Sequence, residues 1–455
     1  MSSNSMMRRE FLKTVGLGAA ALGATRLLRA EEPGPASAPA AGAAARPNII
    51  FILADDFGID DASCYGSDRY KTPNVDALAA AGLRFETCYC TPLCGPTRCE
   101  FNTGRYAFRT GGLTNQSAGR PVPQDEFPVA KMLKQAGYAT VQAGKWRQMG
   151  GTPADWGFDE YLTDPTAGGY YWVKSYTRNG EVVQTDKEVY YPDVMHEFAM
   201  DFIRRHRDGP FFCYYPTHLV HSPIVRTPDS AEGAAASLYG ENIAYMDKLV
   251  GKLVAEIDRL GIREKTLIIF SGDNGTAGQS GTIGGRQVHG AKGSMWEGGA
   301  RVPLVVNWKG VAPQGKVIKD MVDFTDMHAT FAELARAKKQ EGMTFDGRSF
   351  APQLRGEKGN PRQWIFVQLG NQWYAREQGW KLNHLGELFD MKDAPFVEGL
   401  VAADSQEPDP AAARKRLKAV LDALNPAGGK TEPPRADKAP NRAQKKAGKK
   451  QKATV

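Results

Sequence analysis

The chain has few cysteines, and its central part has no excess of basic residues. There are six cysteines in 455 residues, and the formal net charge of +7 comes from the two ends. Residues 1–30 contribute +4 and residues 425–455 contribute +7, which leaves −4 for residues 31–424. Because nucleic-acid-binding surfaces carry a clustered basic charge, we expect no nucleic-acid partner for the folded body.

Neither end of the chain is expected to belong to the folded body. Residues 1–30 carry Arg8 and Arg9 before a Gly/Ala run, the pattern of a twin-arginine signal peptide for exporting folded proteins. That run is too short to span a bilayer comfortably, so we predict export through the Tat translocase, to the periplasm or beyond, rather than anchoring. The composition predicts a flexible lead-in at 31–46 and a basic disordered tail at 425–455.

The body between these ends alternates apolar strand patterns with amphipathic helix patterns. Continuous apolar runs such as NIIFILA and TLIIFSG predict strands buried on both faces. A helix is predicted from Pro73, with Thr72 as its N-cap and Gly82 at its end. The alternation predicts an α/β fold, with a large, mostly parallel sheet flanked by helices on both faces.

Polar side chains follow four of these predicted strands at their carboxyl ends. In open α/β sheets this edge is where ligands bind, so residues distant in sequence meet in one crevice. A single DD or DNG segment is more often a turn, but polar residues at the carboxyl ends of four strands together favour a shared site. The residues concerned are Asp55, Asp56, Lys145, His218, His221, Asp273 and Asn274.

The residue types in this crevice indicate a metal ion and an oxyanion. Asp55, Asp56, Asp273 and Asn274 offer oxygen ligands without His/Cys spacing nearby, which suits Ca²⁺, or Mg²⁺ as the alternative, rather than zinc. Basic residues predicted nearby would reverse the sign of the local charge and stabilise a charged group during its transfer. These residues are Arg98, Lys145 and Lys292.

Cys94 lies in a Cys-x-Pro-x-Arg pattern, CGPTR, followed by TGR. This pattern resembles the motif of the type I, formylglycine-dependent sulfatases, which share the alkaline-phosphatase-like superfold. Six further segments resemble the family's other blocks in the expected order: NIIFILADDFG, TPNVDALAAAGLRF, AGKW, HSP, SGDNG and KGSMWEGGARVP. The resemblance implies a catalytic α/β domain at 47–345 and a small C-terminal subdomain, containing an antiparallel sheet, at 346–424.

The resemblance also implies a role for each matching residue. Cys94 would be oxidised to formylglycine by a formylglycine-generating enzyme before export, and the hydrated aldehyde would attack the sulfur of a sulfate monoester. Arg98 would steady this group, Lys145 and Lys292 would neutralise sulfate oxygens, and His221, or alternatively His218, would lie near the leaving-group oxygen. The metal ligands implied are Asp55, Asp56, Cys94, Asp273 and Asn274. The implied substrate is a sulfated carbohydrate or aryl alcohol.

One departure from the family and three alternatives bear on this interpretation. Arg147, followed by Gln148, stands where the family commonly has histidine, and an arginine cannot act as a base near neutral pH. Cys94 in a disulfide would exclude the proposed chemistry. A phosphodiesterase or phosphonate hydrolase of the same superfold, or a non-catalytic binder of sulfated glycans, are the alternative functions.

Overall fold

The computed structural model describes residues 46–163, 170–231, 238–278, 281–405 and 407–432. The predicted signal peptide, all but the last residue of the lead-in and residues 433–455 of the tail lie outside this part of the chain. Within the described ranges, no helix combines the length and the apolar character that crossing a membrane requires.

A ten-stranded sheet forms the centre of the molecule. Its strands, in chain order, are β1 Asn48–Ala54, β2 Leu83–Tyr89, β3 Ala139–Ala143, β4 Glu160–Thr163, β5 Trp172–Arg178, β6 Glu181–Tyr190, β7 Phe211–Pro216, β8 Thr266–Gly272, β11 Arg301–Asn307 and β12 Lys316–Asp323. Two short strands, β9 Thr282–Ile283 and β10 Arg286–Gln287, pair separately. The order across the large sheet is β12-β2-β11-β8-β1-β7-β3-β4-β5-β6.

The sheet is mostly parallel, as predicted. Strand β1 pairs in parallel with β7 and β8, and β3 pairs in parallel with β7 and β4. Strands β11 and β5 run antiparallel to their neighbours. Four parallel strands, β8-β1-β7-β3, therefore lie side by side with their carboxyl ends at one edge.

Helices cover both faces of the sheet. They are α1 Pro73–Ala80, α2 Cys94–Thr103, α3 Ala107–Thr110, α4 Val129–Gln135, α5 Tyr191–His206, α6 Leu238–Arg259, α7 Glu297–Ala300, α8 Thr325–Ala335 and α9 Ala351–Leu354. Alternate residues of β1 enter two separate apolar clusters. Phe51 packs with residues of α2, α4 and α8, and Ile52 packs with residues of α5 and α6. Because successive side chains of a strand point to opposite faces, a strand buried on both sides is apolar throughout.

A small antiparallel sheet follows the large one in the chain, as predicted. It contains β13 Ile365–Leu369, β14 Gln372–Arg376, β15 Trp380–Asn383, β16 Leu388–Asp390 and β17 Gly399–Leu400. Helix α10, Pro408–Leu424, packs on it through Ala413 and Leu417.

Three local expectations differ from the structure. Helix α1 ends at Ala80, before Gly82, where a Cβ would lie 2.2 Å from the Val306 carbonyl oxygen. The segment YATVQAGKW is predicted to be a strand to its end, but β3 ends at Ala143, so the GKW segment is a loop. Part of the segment predicted to be disordered is structured: a short 3₁₀ turn follows α10, and the Lys430 amide donates to the Phe108 carbonyl at 2.7 Å.

Candidate active site

The loops that leave four parallel strands converge at one edge of the large sheet. Asp55 follows β1, Lys145 follows β3, His218 follows β7 and Asp273 follows β8. Main-chain hydrogen bonds tie these loops to the neighbouring strands: Asp273 N donates to Ala54 O at 2.9 Å, and Lys145 N donates to Pro216 O at 2.8 Å. The predicted crevice is therefore formed by sheet hydrogen bonding, before any side chain contributes.

Three aspartates and one asparagine lie in this crevice, and all four are buried. Asp56 has a φ of 59°, in the left-handed region, and its amide donates to Asp273 Oδ1 at 3.0 Å. Asn274 Nδ2 donates to Asp56 Oδ1 at 2.9 Å, while Asn274 Oδ1 is buried with no hydrogen-bond partner. The Asp55-Asp56 pair and the Asp273-Asn274 pair of the sequence thus belong to a single cluster.

Cys94 is the first residue of α2 and its side chain is fully buried. The sulfur lies 3.4 Å from Asp55 Oδ1 and 3.7 Å from Asp56 Oδ1. All six cysteines of the chain are free thiols, which leaves no disulfide at Cys94. The thiol therefore lies against the clustered aspartates, at the positive end of a helix dipole.

Three basic side chains surround the acidic cluster. Arg98 Nη2 contacts Asp273 Oδ2 at 2.6 Å, Lys145 Nζ contacts Asp55 Oδ2, and Lys292 Nζ lies 2.5 Å from Asp56 Oδ1. Arg98 and Lys145 are buried, whereas 17% of the Lys292 side chain is exposed. Three positive charges thus balance three carboxylates, and a divalent cation would give the site a net charge of about +2.

Burial and neighbouring charges move the pKa values of these groups in different directions. Burial alone would raise the pKa of Asp55, but the charges of Lys145, His221 and Arg98 hold it well below the ordinary value. Burial and the nearby Asp55 charge raise the pKa of Asp273. Burial and the charge of Asp273 raise the pKa of the Cys94 thiol well above its ordinary value. An unmodified Cys94 is therefore protonated at neutral pH and is a poor nucleophile.

The two histidines of the β7 loop occupy different positions. His221 Nε2 lies 3.8 Å from Asp56 Oδ2, and 26% of its side chain is exposed. His218 is buried, and its Nδ1 lies 3.1 Å from the Tyr170 carbonyl. Ligand atoms of Asp55, Asp56, Cys94 and His221 all lie within 4.8 Å of one another. Of the two histidines, His221 is therefore the one placed within this group.

Tyr170 also enters the site, although no motif of the sequence marks it. Its hydroxyl donates to Asp55 Oδ2 at 3.1 Å, and its ring stacks on the His218 ring with 4.2 Å between centroids. The Arg147 guanidinium, at the position where the family commonly has histidine, lies 4.9 Å from the centroid of the Tyr170 ring. The aromatic segment GGYYW was the only signal in the sequence, and aromatic residues at that spacing are more often part of a core.

A glycine sets how closely the strands approach beside Lys145. Gly144 has a φ of 136°, and a Cβ there would lie 2.1 Å from the Pro216 carbonyl oxygen. The neighbouring Lys145 amide donates to that same oxygen. Only glycine allows this approach of β3 and β7, which brings Lys145 to Asp55.

The donor set fits a hard divalent cation. Carboxylate oxygens of Asp55 and Asp56 lie within 4.8 Å of each other, whereas the Asp273 carboxylate accepts from the Asp56 amide and from Arg98. The orphaned Asn274 Oδ1 lacks the partner that buried polar atoms normally have. Oxygen-rich, carboxylate-dominated sites favour Ca²⁺ or Mg²⁺ over zinc. The residues that could hold the cation are these four together with residue 94.

Comparisons with known proteins identify the family of the chain. A family model described as Sulfatase matches residues 47–337. Arylsulfatase A of Homo sapiens is 32% identical over 358 residues, which cover 70% of this chain and 70% of that protein. A crystal structure of Ps i-CgsB in complex with k-i-k-neocarrahexaose is similar with a TM-score of 0.72 and 25% identity, covering 90% of this chain and 98% of the other.

A more distant likeness concerns the fold alone. The phosphonate monoester hydrolase of Agrobacterium radiobacter has a TM-score of 0.63 and 20% identity, covering 84% of this chain and 95% of the other. The matched family model spans the loops that carry every acidic and basic residue of the site. The chain belongs to the sulfatase family, whose members hydrolyse sulfate esters.

Proposed function

We propose that this sulfatase cleaves a sulfate monoester of a carbohydrate, using formylglycine made from Cys94 as its nucleophile. The observation that carries the proposal is the position of the Cys94 sulfur, 3.4 Å from Asp55 and 3.7 Å from Asp56 within a ring of basic side chains. A thiol with a raised pKa is inert there, whereas an aldehyde hydrate at the same position supplies an attacking oxygen.

Arg98, Lys145 and Lys292 receive the negative charge of the substrate in this proposal. Lys145 contacts Asp55 and Lys292 contacts Asp56, so each lysine lies against one carboxylate of the aspartate pair. Fixed positive groups in a water-poor crevice stabilise charge on a transferring oxyanion without reorganisation. When bound, a divalent cation held by Asp55, Asp56, Asp273, Asn274 and residue 94 would supply further charge stabilisation as a Lewis acid. Ca²⁺ is our proposal for this ion, with Mg²⁺ as the alternative.

His221 is the proposed proton donor to the leaving alcohol. It is the partly exposed member of the group, so its ring is accessible to a substrate that enters from solvent. His218 is buried and engaged with Tyr170, which favours His221 for this role. A positioned histidine that protonates a leaving group accelerates such reactions by about 10²–10⁴-fold.

A carbohydrate is favoured as the carrier of the sulfate. The similar structure of Ps i-CgsB holds an oligosaccharide according to its description. The phosphonate hydrolase remains the second candidate function, supported by the likeness of fold to the enzyme of Agrobacterium radiobacter. A non-catalytic binder is not supported, because members of the family hydrolyse sulfate esters.

We further propose that the chain is modified by a formylglycine-generating enzyme and then exported through the Tat translocase. The Arg8-Arg9 pattern supports the route. Burial of Cys94 supports the order of events, because a modifying enzyme needs access to the thiol before α2 packs.

The test combines mass spectrometry with a substrate panel. Protein produced with a formylglycine-generating enzyme should show an aldehyde in place of the thiol at residue 94, and should release sulfate from sulfated mono- or polysaccharides. Hydrolysis of an aryl sulfate should exceed hydrolysis of an aryl phosphodiester. A persistent thiol would contradict the nucleophile, and a preference for the phosphodiester would favour the second candidate.

A further inference from the structure

We propose that Tyr170 is a positioning residue of this site, which holds Asp55 for the metal and supports His221, and that Arg147 holds Tyr170. This inference rests on the proposed function. It assigns a role to Tyr170, which no motif of the sequence marks, and to the arginine that stands where the family commonly has histidine. Three sets of contacts of the Tyr170 side chain carry it: one through the hydroxyl, one between the ring and the two histidines, and one between the ring and Arg147.

The first contact fixes the rotation of a metal-binding carboxylate. Asp55 Oδ2 accepts hydrogen bonds from the Tyr170 hydroxyl, at 3.1 Å, and from Lys145 Nζ. With two donors on Oδ2, the other oxygen, Oδ1, is directed toward Cys94 Sγ at 3.4 Å. Partners that orient metal ligands in this way affect metal affinity or activity by about 10- to 100-fold.

The second contact involves the histidine loop. The Tyr170 ring stacks on His218 at 4.2 Å with an interplanar angle of 16°, and it contacts the His221 ring at 5.2 Å with an angle of 41°. His221 is the proposed proton donor, and its Nδ1 lies 2.5 Å from the Ser222 carbonyl oxygen. The tyrosine ring therefore restricts the rotation of the proton donor from the side of the buried His218.

The third contact explains the presence of arginine at position 147. The Arg147 side chain is largely exposed, and its guanidinium lies 4.9 Å from the Tyr170 ring centroid. A guanidinium over an aromatic face contributes about 0.5–1 kcal/mol at an exposed position. Arginine cannot supply a base here. We infer that it instead stabilises the position of the tyrosine ring.

Metal binding provides the first test. Metal-free full-length protein, carrying formylglycine, is titrated with CaCl₂ by calorimetry, comparing wild type with Tyr170→Phe. The expected result is a Kd for Ca²⁺ raised about 10- to 100-fold, because Oδ2 loses one donor. Tyr176→Phe is the matched control: Tyr176 lies on the same polypeptide segment, and its ring packs against Tyr191. Its Kd should stay within about twofold of wild type.

The outcomes separate this inference from the proposed function. Equal Kd values for wild type and Tyr170→Phe would overturn the positioning role while leaving the proposed function intact. A wild-type protein that binds neither Ca²⁺ nor Mg²⁺ would overturn both. Unfolding midpoints measured in chelator check that each variant is folded.

Leaving-group dependence tests the role of the ring. Tyr170→Leu removes the ring contacts to both histidines, whereas Tyr170→Phe keeps them. A leaving group of high pKa needs protonation more than 4-nitrophenol does. We therefore expect Tyr170→Leu to lower kcat/KM for an alkyl sulfate about 10-fold more than for 4-nitrophenyl sulfate. Tyr170→Phe should not change that ratio. An equal loss on both substrates in Tyr170→Leu would contradict the support of His221.

Arg147 is tested in the same assay. Arg147→Gln removes the cation from the face of the Tyr170 ring. We expect it to lower kcat/KM for the alkyl sulfate about 2- to 5-fold more than for 4-nitrophenyl sulfate, which is the direction expected for Tyr170→Leu but a smaller effect. Arg147→Lys keeps the positive charge, so its ratio of kcat/KM values for the two substrates should lie closer to that of wild type than the ratio of Arg147→Gln does. A ratio in Arg147→Gln equal to that of wild type would show that the arginine does not hold Tyr170.

Discussion

Two buried clusters of charge in this molecule use their ion pairs differently. The active-site cluster consists of Asp55, Asp56, Cys94, Arg98, Lys145, His221, Asp273, Asn274 and Lys292. The Arg362 cluster consists of Tyr106, Asp323, Thr325, Asp326, Asp346 and Arg362. Both are formed by residues far apart in sequence, and both place carboxylates away from water.

The Arg362 cluster satisfies its own members. Arg362 donates from Nε to both oxygens of Asp326, at 2.8 and 2.7 Å, and from Nη2 to the Asp346 carbonyl at 2.8 Å. Tyr106 donates its hydroxyl hydrogen to Asp323 Oδ2 at 2.8 Å. Burial raises the pKa of Asp323 to about 7, although the charge of Arg362 opposes this. Such a closed arrangement serves the structure of the protein.

The active-site cluster is not closed in this way. Carboxylates converge on one another, Asn274 Oδ1 has no partner, and Lys292 and His221 are partly exposed. A buried oxygen without a partner, beside side chains that reach solvent, is typical of a site that binds a ligand. The comparison indicates that a binding site differs from a structural ion pair in how many of its polar groups have hydrogen-bond partners within the protein, and not in whether its charges are buried.

The largest expected effect is on catalysis. Cys94→Ala should lower kcat/KM for 4-nitrophenyl sulfate by at least about 10⁴-fold while leaving the unfolding midpoint nearly unchanged, because the nucleophile is lost but the helix is kept. Cys99→Ala is the control on the same helix; its thiol contacts Ala118 and Met149 rather than the aspartates. Retained turnover in Cys94→Ala would refute the assignment of the nucleophile.

The Arg362 cluster should respond in the opposite manner. Arg362→Met leaves Asp326 and Asp323 buried without their cation, so the free energy of unfolding should fall by about 3–5 kcal/mol. Urea denaturation measures this loss. The folded fraction should retain its kcat/KM, since the cluster lies outside the catalytic crevice. A large loss of activity in fully folded protein would break the proposed distinction.

Metal binding should stabilise the protein through the active-site cluster. Ca²⁺ at 100 times its Kd should raise the free energy of unfolding by about 2.7 kcal/mol, because the ion binds the folded state. Thermal unfolding with CaCl₂ and with chelator measures the difference. Asp273→Asn should reduce it, whereas Asp346→Asn, in the Arg362 cluster, should leave it unchanged. Equal stabilisation in all variants would indicate that the ion binds elsewhere.

The smallest expected effect concerns acid. His328, on the same helix as Asp326, is buried, and burial lowers its pKa to about 4. The unfolded chain therefore takes up a proton as pH falls below about 6.5 while the folded chain does not, so stability is lost between that pH and about 4. Between pH 7 and pH 5, His328 should account for a loss of about 2 kcal/mol in the free energy of unfolding.

The variant His328→Gln tests this effect. Glutamine keeps a donor for the Phe127 carbonyl, which accepts from His328 Nε2 at 3.0 Å. Stability against urea should then depend less on pH over the same range. His196 is also buried, and burial likewise lowers its pKa to about 4, so its contribution to the pH dependence of stability remains in the variant. An unchanged pH slope in His328→Gln would contradict the prediction.

The sequence predicted the parts of the fold that continuous patterns specify. Strands β1, β7, β8 and β11 are uninterrupted apolar runs, and Thr72-Pro73 marks the start of α1. Strands β5 and β6 were missed because they are the last two strands at one end of the sheet and carry exposed polar residues. The direction of β11 was also beyond prediction, since an antiparallel strand within a parallel sheet has the same apolar sequence.

The residues of the active site also divide into those that the sequence predicts and those that it does not. Aspartates and lysines directly after strands were predictable because parallel strands end at one edge. Tyr170 was not, because it lies 115 positions from Asp55 in the chain and no motif or spacing in the sequence links the two. The Arg362 cluster also escaped prediction, since nothing in the spacing of Asp326 and Arg362 along the chain brings them together.

The glycine beside Lys145 shows how the positions of the reacting groups are controlled. The approach of Gly144 to the Pro216 carbonyl is a main-chain contact within the sheet. The separation of the main-chain segments that carry Lys145 and Asp55 is therefore set by backbone packing, whereas loop residues such as Tyr170 orient the side chains. Loops that do not contact these side chains are thus free to change in length and sequence, and hence in the substrates they admit, while the backbone positions of the charged residues stay constant.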